Sequence, residues 1–455
     1  MTKLLRALGP GLLTGAADDD PSGIATYSQS GAQLGDTLCW TMFLTTPFMV
    51  AIQIVSARIG SITGRGLAAN LSAILPPVPL FAIVALLTVA NVVNIAADMA
   101  AMAAAMQLLV GGPAPVYTLC FGLTCLSAQI AIPYRRYAHY MKLLTLVLFA
   151  YVATAFTVHV PWSKVLLATF IPHLSLHRDA ILMLVAVLGT TISPYLFFWQ
   201  ASLEVEERRI MEKRKTAPLK NGAAAARRRF GPIVVDTWTG MALSNVIGFF
   251  IIVATAATLH ARGMTTIDTA ASAAEALRPL AGEFAFLLFA IGIIGTGLLA
   301  IPALAGSAAY AIADTLGWKN SLGLAPWRAR DFYVIIAAAT LIGSFGALLP
   351  INPIRMLVWS AVFNGIVAVP LMAGMMMVVT SRKIMGKFAA SRLLAVFGWL
   401  ATLFMGAVVG AFFFVSITGE GRRRVRSRRS RSRHLKPANA PRRAVAPNRP
   451  VSASR

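Results

Sequence analysis

Charged residues are scarce in this sequence. They make up 13% of its 455 residues, whereas 57% are hydrophobic and the mean hydropathy is +0.70. Because soluble globular domains carry about 25% charged residues, the composition excludes a soluble protein. The usual estimate of the number of domains from chain length does not apply to a protein whose helices bury apolar faces in lipid. We therefore expect an all-α polytopic membrane protein with one membrane domain over residues 1–419.

Cysteine is also rare, with three examples at Cys39, Cys120 and Cys125. None is paired in the CxxC spacing of a zinc site, and they do not form the pattern of a disulfide framework. Each lies among apolar residues, where cysteine behaves as a small hydrophobic side chain. We expect no zinc site and no cofactor.

Acidic residues number 17, against 41 lysines and arginines. Of those 41 basic residues, 13 follow Glu420, in a tail over residues 420–455 that has almost no large apolar residues. This composition predicts disorder. Its arginines would give salt-sensitive, sequence-blind adhesion to nucleic acid. Because no aromatic residues are interleaved, we do not expect nucleic acid as a partner, and we favour a lipid-facing or topogenic tail.

Eleven stretches are long and apolar enough to cross a bilayer, which takes about 20 residues. The first follows Lys3 and Arg6, a pattern shared with cleavable signal peptides, but Gly9, Pro10 and Gly11 interrupt it early, so we expect it to be retained. The predicted spans cover residues 8–35, 38–57, 78–110, 115–134, 141–160, 179–203, 232–259, 284–316, 331–350, 355–379 and 393–418.

Lysine and arginine concentrate in alternate loops, which places those loops and the N-terminus in the cytoplasm. The charged loop over residues 203–231 is one of them and is predicted to be helical. We expect the bacterial inner (plasma) membrane, with lipid as a partner. An odd number of spans places the basic tail outside, against the same rule, so either the tail crosses or one span is wrong. The outer loops would hold Lys164, Arg178, Arg262, Arg278 and Arg355.

Three successive carboxylates, Asp18, Asp19 and Asp20, stand inside the first span. One carboxylate at bilayer depth costs ~2.5–3.5 kcal/mol on insertion scales, so three together indicate a site that faces water or a cation. The following Pro21 and Gly23 break the helix, and broken backbone at that depth must line a cavity, where its carbonyls become oxygen ligands. The alternative places Asp18 and Asp19 in an aqueous vestibule as solvated side chains.

The sixth span is interrupted in the same way, since Gly189, Thr190, Ser193 and Pro194 divide one apolar run into two halves. A single proline in a membrane helix is commonly only a kink. Two interrupted segments in corresponding positions, however, indicate an inverted-repeat transporter with its substrate between the two breaks. Gln200 lies seven residues after Ser193 and hence on the same helix face.

The third span carries a polar stripe of Asn91, Asn94 and Asp98, at positions i, i+3 and i+7. One face of this helix therefore meets water or bonds to another helix. The stripe is explained either by hydrogen bonds between helices or by a transport pathway. Asp98 is the natural candidate for a proton relay, and protons are a partner if transport is coupled to them.

The second span carries a family resemblance. Its residues 53–68, QIVSARIGSITGRGLA, are similar to the pattern RLG-x-VTG-x-x-LA of the Nramp family of divalent metal transporters, and residues 355–372 resemble that family's tenth helix. The resemblance covers most of residues 8–418 in layout. It implies a LeuT-like fold of eleven or twelve membrane helices, with an inverted repeat and discontinuous helices 1 and 6. It also implies secondary-active transport of a divalent metal ion by alternating access.

The family's first-helix motif, DPGN, resembles residues 20–23, so the resemblance implies that Asp20 is a metal ligand and that Gly23 replaces an asparagine ligand. The family's sixth-helix pattern, Ala-x-x-Met-Pro-His-Asn, resembles residues 190–196. There Thr190 replaces the carbonyl-donating alanine, Ser193 the methionine ligand and Tyr195 the histidine.

Two further helices match in part. The third-helix motif TDLAE resembles residues 97–101 and keeps its aspartate at Asp98 without the glutamate, which leaves proton coupling open. The tenth-helix glutamine position is Ala361, with Asn364 nearby. The expected ligand set is Asp20 as the principal anion, oxygens of Asp19 and Ser193, and backbone carbonyls near Ala17 and Thr190.

The loss of methionine at residue 193 bears on the substrate. A thioether favours soft transition metals, so a serine there shifts selectivity toward harder ions and resembles the Nramp-related magnesium transporters. Mg²⁺ retains several waters and needs the room that serine and glycine leave, but Mn²⁺ also accepts oxygen ligands, and both remain open.

Two other functions are considered. A sodium-coupled amino-acid or small-solute carrier could share the fold, but three adjacent acids would repel a substrate carboxylate. An intramembrane aspartyl hydrolase would need Asp98 beside one of these acids, and the sequence has no GxGD-like context. We expect a transporter and no enzyme.

Overall fold

The computed structural model of the protein describes residues 10–132, 146–173, 177–213 and 223–434. Within these ranges the regular secondary structure is helical, without a strand. The α-helices are α1 (Pro10–Asp18), α2 (Pro21–Leu34), α3 (Cys39–Thr63), α4 (Leu67–Leu71), α5 (Pro77–Val110), α6 (Ala114–Ala131), α7 (Phe149–Thr157), α8 (Trp162–Phe170), α9 (Arg178–Thr191), α10 (Pro194–Lys213), α11 (Ala223–Thr258), α12 (Ala270–Ala274), α13 (Arg278–Ala281), α14 (Ala285–Leu316), α15 (Arg330–Gly346), α16 (Pro353–Thr380), α17 (Arg382–Met385) and α18 (Arg392–His434). Short 3₁₀ helices cover Gly35–Leu38, Leu146–Leu148, His260–Arg262, Glu275–Leu277, Gly282–Phe284, Pro326–Arg328 and Gly386–Phe388.

Each of the eleven predicted spans overlaps a helix or a helix pair, and residues 8–9, 133–134 and 141–145 of these spans lie outside the described residues. By length and composition, the described part has eight helices able to cross a membrane, or nine if the bent pair Leu146–Thr157 and Trp162–Phe170 counts as one span. One of the eight, Pro21–Thr63, contains 43 residues and a turn at Gly35. That is about 65 Å of helix, roughly two bilayer cores.

The breaks in the first and sixth spans are present, which confirms the two predicted discontinuous helices. Helix α1 ends at Asp18 and α2 begins at Pro21; α9 ends at Thr191 and α10 begins at Pro194. In both breaks a proline occupies the first position of the second half, where its missing N–H is not needed and its fixed φ suits the helix. The local sequence therefore produces both breaks.

The 34-residue helix α5 lies at the centre and packs against α6, α14, α15 and α16. Helices α1 and α2 pack against α11, and α9 packs against α16. Large apolar side chains on the outer faces, such as Phe81, Leu123 and Leu403, are exposed. An exposed apolar surface of this kind is suited to contact with lipid rather than water.

The backbones of α9 and α16 approach closely one residue before Thr190. A Cβ on residue 189 would overlap the Ala361 carbonyl oxygen and the Gly365 backbone. We expect Gly189→Ala to destabilise the fold by about 1–3 kcal/mol, because the obstacle is backbone that cannot repack. Thermal unfolding in detergent measures this effect. Gly410→Ala, in open space on α18, is the control and should unfold like the wild type; equal stability of the two variants would contradict the close approach.

The charged segment predicted as a separate loop helix is different in the structure. Residues 203–213 extend α10 and residues 223–231 begin α11, while 214–222 lie outside the described residues. Charge pairs one turn apart favour such extension, and Arg209 lies 3.6 Å from Glu206 on the same helix.

The contact pattern divides the chain into two units, with the boundary between Phe412 and Phe413. The backbone of α18 is helical through residue 434, so residues 420–434 differ from the predicted disorder. Arginine is a good helix former, and residues 420–436 contain no proline. The disorder predicted for residues 435–455 falls outside the described residues, and the division at residue 420 stays a prediction.

Candidate metal site between two broken helices

Asp20 is the N-cap of α2 and is 1% exposed. Its Oδ1 accepts hydrogen bonds from the Ser22 hydroxyl (2.6 Å) and the Gly23 N–H (2.8 Å). Its Oδ2 accepts one from the Asn94 side-chain Nδ2 on α5 (2.9 Å). One carboxylate oxygen is thus used to begin the helix. The other is directed toward α5, where a ligand could share it.

The two helix breaks meet at this point. A Cβ on residue 23 would lie 3.1 Å from Thr190 Oγ1, so the two backbones are adjacent. The Tyr195 hydroxyl donates to the Ala17 carbonyl oxygen (2.6 Å), which joins the end of α1 to the start of α10. The structure therefore brings together Asp20, Gly23, Ala17 and Thr190, which the sequence predicts as one site.

Two helix C-termini contribute to the electrostatics of this site. The last carbonyl groups of an α-helix have no partner within the helix and carry partial negative charge. Ala17 lies in the last turn of α1 and Thr190 in the last turn of α9. The buried Ser193 hydroxyl donates to the carbonyl oxygens of Thr190 (2.7 Å) and Gly189 (3.1 Å). Each carbonyl oxygen has two lone pairs, so a cation can still bind.

The first two acids face another helix. Ser244 Oγ, on α11, hydrogen-bonds to Asp18 Oδ2 (2.5 Å) and Asp19 Oδ1 (2.9 Å). Because a hydroxyl has one hydrogen, the two carboxyl groups share it. Both acids are buried, at 1% and 4% exposure, so they are not solvated in an aqueous vestibule in this structure. Asp19 thus makes its hydrogen bond to α11, whereas Asp20 makes one to α5.

The polar stripe of α5 is fully buried. Asn91 donates its Nδ2 to the Leu304 carbonyl oxygen on α14 (3.0 Å), whereas Asn94 donates to Asp20. Asp98, one helical turn after Asn94, has no hydrogen-bond partner for either carboxylate oxygen among the described residues. A buried carboxyl group without a partner is costly and is commonly functional in a membrane protein.

The two other predicted polar lining residues have different surroundings. Gln200 Oε1 accepts a hydrogen bond from the Thr14 hydroxyl on α1 (2.5 Å). The side chain of Gln200 therefore contacts the middle of α1 and not the break that follows Asp18. Asn364, on α16, is fully buried, and neither its oxygen nor its nitrogen has a hydrogen-bond partner within the described chain. It precedes Gly365, whose backbone lies against Gly189.

A cavity of about 600 Å³ lies on the side of the site toward which α2 and α5 run. Its lining includes Ala25 and Ser28 of α2 and Ala101 of α5, one to two turns beyond Asp20 and Asp98. On the other side, Asp236 of α11 accepts hydrogen bonds from the N–H groups of Gly11 (2.7 Å) and Leu12 (3.3 Å), at the start of α1. This cavity therefore lies on one side of the site, and on the other side the Asp236 contacts join α11 to the start of α1.

Comparison with known proteins decides the family. The model of the Nramp family, described as natural resistance-associated macrophage protein-like, matches residues 11–415. The chain belongs to the Nramp family. This match includes both broken helices and α5, and so all the residues that we assign to the site.

Individual proteins are similar to this chain in sequence or in fold. The chain is 25% identical to the divalent metal cation transporter MntH of Caldanaerobacter subterraneus subsp. tengcongensis, over 92% of this chain and 95% of the relative. A solved manganese transporter of Eremococcus coleocola has a TM-score of 0.70 at 17% identity, covering 91% of this chain and 86% of that one. Mhp1, a nucleobase-cation-symport-1 family transporter, has a TM-score of 0.53 at 14% identity, over 90% and 93% of the two chains. These structures establish the fold.

The donors available at the candidate site are mostly neutral oxygens. Among residues that the structure describes, no three His, Cys, Asp or Glu side chains form a group that could hold a metal ion. Any cation at Asp20 would therefore draw on hydroxyl, amide and carbonyl oxygens in addition to the carboxylate. Oxygen donors of this kind suit Mg²⁺ and Mn²⁺ better than soft metals.

Sequence reasoning missed three contributors to this site. Ser22 was assigned no role, although its hydroxyl donates a hydrogen bond to Asp20. Tyr195 was noted only as a histidine replacement, although it bonds to Ala17. Ser244 was not considered; the local signal was the polar pair Ser244–Asn245 inside the otherwise apolar stretch 241–253.

Proposed function

We propose that this protein is a secondary transporter of divalent metal cations, and that Asp20 is the principal anionic ligand of the transported ion. The observation that carries this proposal is the buried Asp20 carboxylate at the junction of two helix breaks, with Oδ2 directed toward α5. Family membership supports it, as do relatives that are named divalent metal cation transporters.

The remaining ligands would be neutral oxygens. The Ser193 hydroxyl and the carbonyls of Ala17 and Thr190 have lone pairs free for a cation. Gly23 lets the Thr190 side chain come close to the break at Asp20, since a Cβ on residue 23 would lie 3.1 Å from Thr190 Oγ1. Asp19 would contribute negative charge without direct contact, because its hydrogen bond is made to Ser244. One charged ligand and several neutral ones would let a divalent ion keep part of its hydration shell, as Mg²⁺ requires.

Alternating access would move the ion from the cavity to the opposite side. Asp98 lies on α5 between Asn94 and the cavity-lining Ala101, so a proton on Asp98 could exchange with the cavity. We assign proton coupling to this group. The opposite side would open when the contacts at the start of α1 separate, including those of Asp236 and Thr14.

We also propose a membrane topology and lipid contacts for the protein. It is an integral multi-pass membrane protein, and we place its N-terminus in the cytoplasm of a bacterial cell because of the lysine and arginine distribution. Lipid would contact the exposed apolar faces of the membrane domain over residues 1–419. The basic tail over residues 420–455 would contact anionic lipid.

Uptake by reconstituted protein tests the proposed function. Proteoliposomes should accumulate Mn²⁺ or Mg²⁺ faster than protein-free vesicles, whereas sodium-dependent amino-acid uptake should stay at the background level. Sodium-dependent solute uptake without divalent-cation uptake would instead favour the carrier alternative of the same fold.

The side chain at residue 193 should influence which divalent ion is preferred. Ser193→Met places a thioether where the wild type has a hydroxyl beside the two breaks, so we expect the preference to move from Mg²⁺ toward Mn²⁺ and Cd²⁺. The change should be about tenfold in the ratio of uptake rates, equal to ~1.4 kcal/mol. Competition of Cd²⁺ and Mg²⁺ with Mn²⁺ uptake measures it. Ser193→Ala is the control that removes the hydroxyl without adding sulfur, and identical selectivity in all three proteins would show that residue 193 is no ligand.

A further inference from the structure

Asn94 is placed to do more than hold Asp20. Its Nδ2 donates to Asp20 Oδ2 at 2.9 Å, and its own Oδ1 is buried without a hydrogen-bond partner in the described part of the chain. The residue is fully buried. The neutral Oδ1 thus belongs to the amide group that contacts Asp20 Oδ2, the carboxylate oxygen that does not cap α2.

The geometry around Asp20 limits how a cation can approach. Oδ1 already accepts hydrogen bonds from Ser22 and Gly23, which fix the carboxylate at the start of α2. Oδ2 accepts a hydrogen bond from Asn94, so a cation that binds Oδ2 enters the space next to that amide. The NH₂ end of an amide faces a carboxylate, but it carries positive partial charge and would repel a metal ion.

Rotation about the Asn Cβ–Cγ bond resolves this conflict. The terminal torsion of asparagine is broad and roughly two-fold, so the amide can exchange its nitrogen and oxygen within the same envelope. The end that faces Asp20 is dictated by what else is bound there. With a cation on Oδ2, the oxygen end is the favourable one, and it gives the unpartnered Oδ1 a positive partner.

We propose that Asn94 is a ligand of the transported cation, supplying its side-chain oxygen from α5 after the amide turns over. This inference rests on the proposed function, because it takes Asp20 as the anionic ligand. It adds a metal ligand from the third predicted span, and the family resemblance implies no ligand from that span. The ion it favours is a divalent cation with a preference for oxygen donors.

The assignment also links binding to movement between helices. Without a cation, the Asn94–Asp20 hydrogen bond ties α2 to α5. With a cation, the same two helices are joined through the ion. Helix α2 packs mainly on α11, α16 and α9, whereas α5 packs mainly on α14, α16, α15 and α6, so the bond connects two largely different groups of helices.

Substitution by aspartate separates a ligand from a hydrogen-bond donor. An ionised aspartate at residue 94 keeps an oxygen for the metal but cannot donate to Asp20. Leucine removes both functions at similar size. Asn91→Leu is the matched control, because Asn91 is equally buried on the same helix and donates instead to the Leu304 carbonyl. Its Oδ1, like that of Asn94, has no hydrogen-bond partner among the described residues.

Calorimetric titration of the purified protein with Mn²⁺ and with Mg²⁺ at pH 8 is the measurement. We expect Asn94→Leu to weaken binding of both ions about tenfold or more, Asn94→Asp to bind at least as tightly as the wild type, and Asn91→Leu to stay within about twofold. Thermal unfolding of each cation-free variant identifies any variant that fails to fold. If Asn94→Leu fails to fold, the isosteric Asn94→Asp still tests the inference.

Two results would overturn the inference. If Asn94→Asp binds as weakly as Asn94→Leu, Asn94 acts only as a donor that positions Asp20. If Asn94→Leu binds like the wild type, the residue has no role in binding. Asp20→Ala is titrated in parallel: when it loses binding and the Asn94 variants do not, only this inference fails, and when it binds normally, the proposed function fails.

Discussion

Proteoliposomes containing Asp20→Ala are expected to show no divalent-cation uptake above that of protein-free vesicles. Asp20 is the buried carboxylate that borders both Gly23 and Asn94 at the junction of the breaks. Two positive charges about 4 Å from one negative charge attract by about 8 kcal/mol at an effective dielectric constant near 20. Desolvation cancels much of this attraction. A remainder of about 2.7 kcal/mol would already change affinity 100-fold.

The controls for this experiment address charge and fold. Asp20→Asn keeps the shape of the side chain and can still accept a hydrogen bond at the cap, so its unfolding temperature should stay close to that of the wild type while uptake is lost. Asp331→Ala removes an exposed aspartate in the first turn of α15 and should transport normally. Wild-type uptake by Asp20→Ala would mean that the cation binds elsewhere.

The second large effect is expected for Asp98→Asn, which should lose accumulation of Mn²⁺ or Mg²⁺ driven by a pH gradient and keep uptake down a concentration gradient. Neither Asp98 oxygen has a hydrogen-bond partner within the described residues. An isolated buried carboxyl group is costly when charged, so it tends to take up a proton unless a cation is near. Asparagine keeps the shape but cannot exchange a proton, so coupling is removed without a change in packing.

Parallel recordings of metal uptake and internal pH measure this prediction. In the wild type, the two signals should change together and reverse with the direction of the pH gradient. Asp98→Glu should retain coupling, because it restores an exchangeable proton on the same helix face. Accumulation by Asp98→Asn at the wild-type level would assign coupling to another group, or would show that transport is uncoupled.

Much of the fold could be predicted because each membrane helix is encoded locally. About 20 apolar residues suffice to indicate a span, and Pro21 and Pro194 mark the two breaks to the residue. The number of spans is harder to obtain, since apolar length does not separate a turn within one long helix from a boundary between two. Pro21–Thr63 shows this, because Gly35 interrupts it without a long polar segment.

The candidate site was predictable in composition but not in orientation. Hydropathy alone placed three adjacent carboxylates inside a membrane span and left open whether Asp18 and Asp19 face water, and family resemblance indicated Asp20 among them. Nothing local indicated that Asp18 and Asp19 would bond to Ser244, more than 220 residues away. The direction of each side chain depends on where α1 ends and on which helix packs beside it, and both are tertiary properties.

The Asn94–Asp20 contact shows the same limit. The polar stripe on α5 could be recognised by its helical spacing, yet that spacing is equally consistent with bonds to any neighbouring helix. Asn91 bonds to α14 and Asn94 to α2, although both are asparagines three residues apart. A three-residue step turns the helix by about 300°, enough to point the two side chains at different neighbours.

Anomalous diffraction from crystals grown with Mn²⁺ would locate the bound ion. We expect one strong manganese peak in ligating contact with Asp20 Oδ2, between the break at Asp19–Asp20 and the break at Ile192–Ser193, and no peak there in Asp20→Asn crystals. A peak that persists in Asp20→Asn, or a wild-type peak confined to positions away from both breaks, would contradict this expectation.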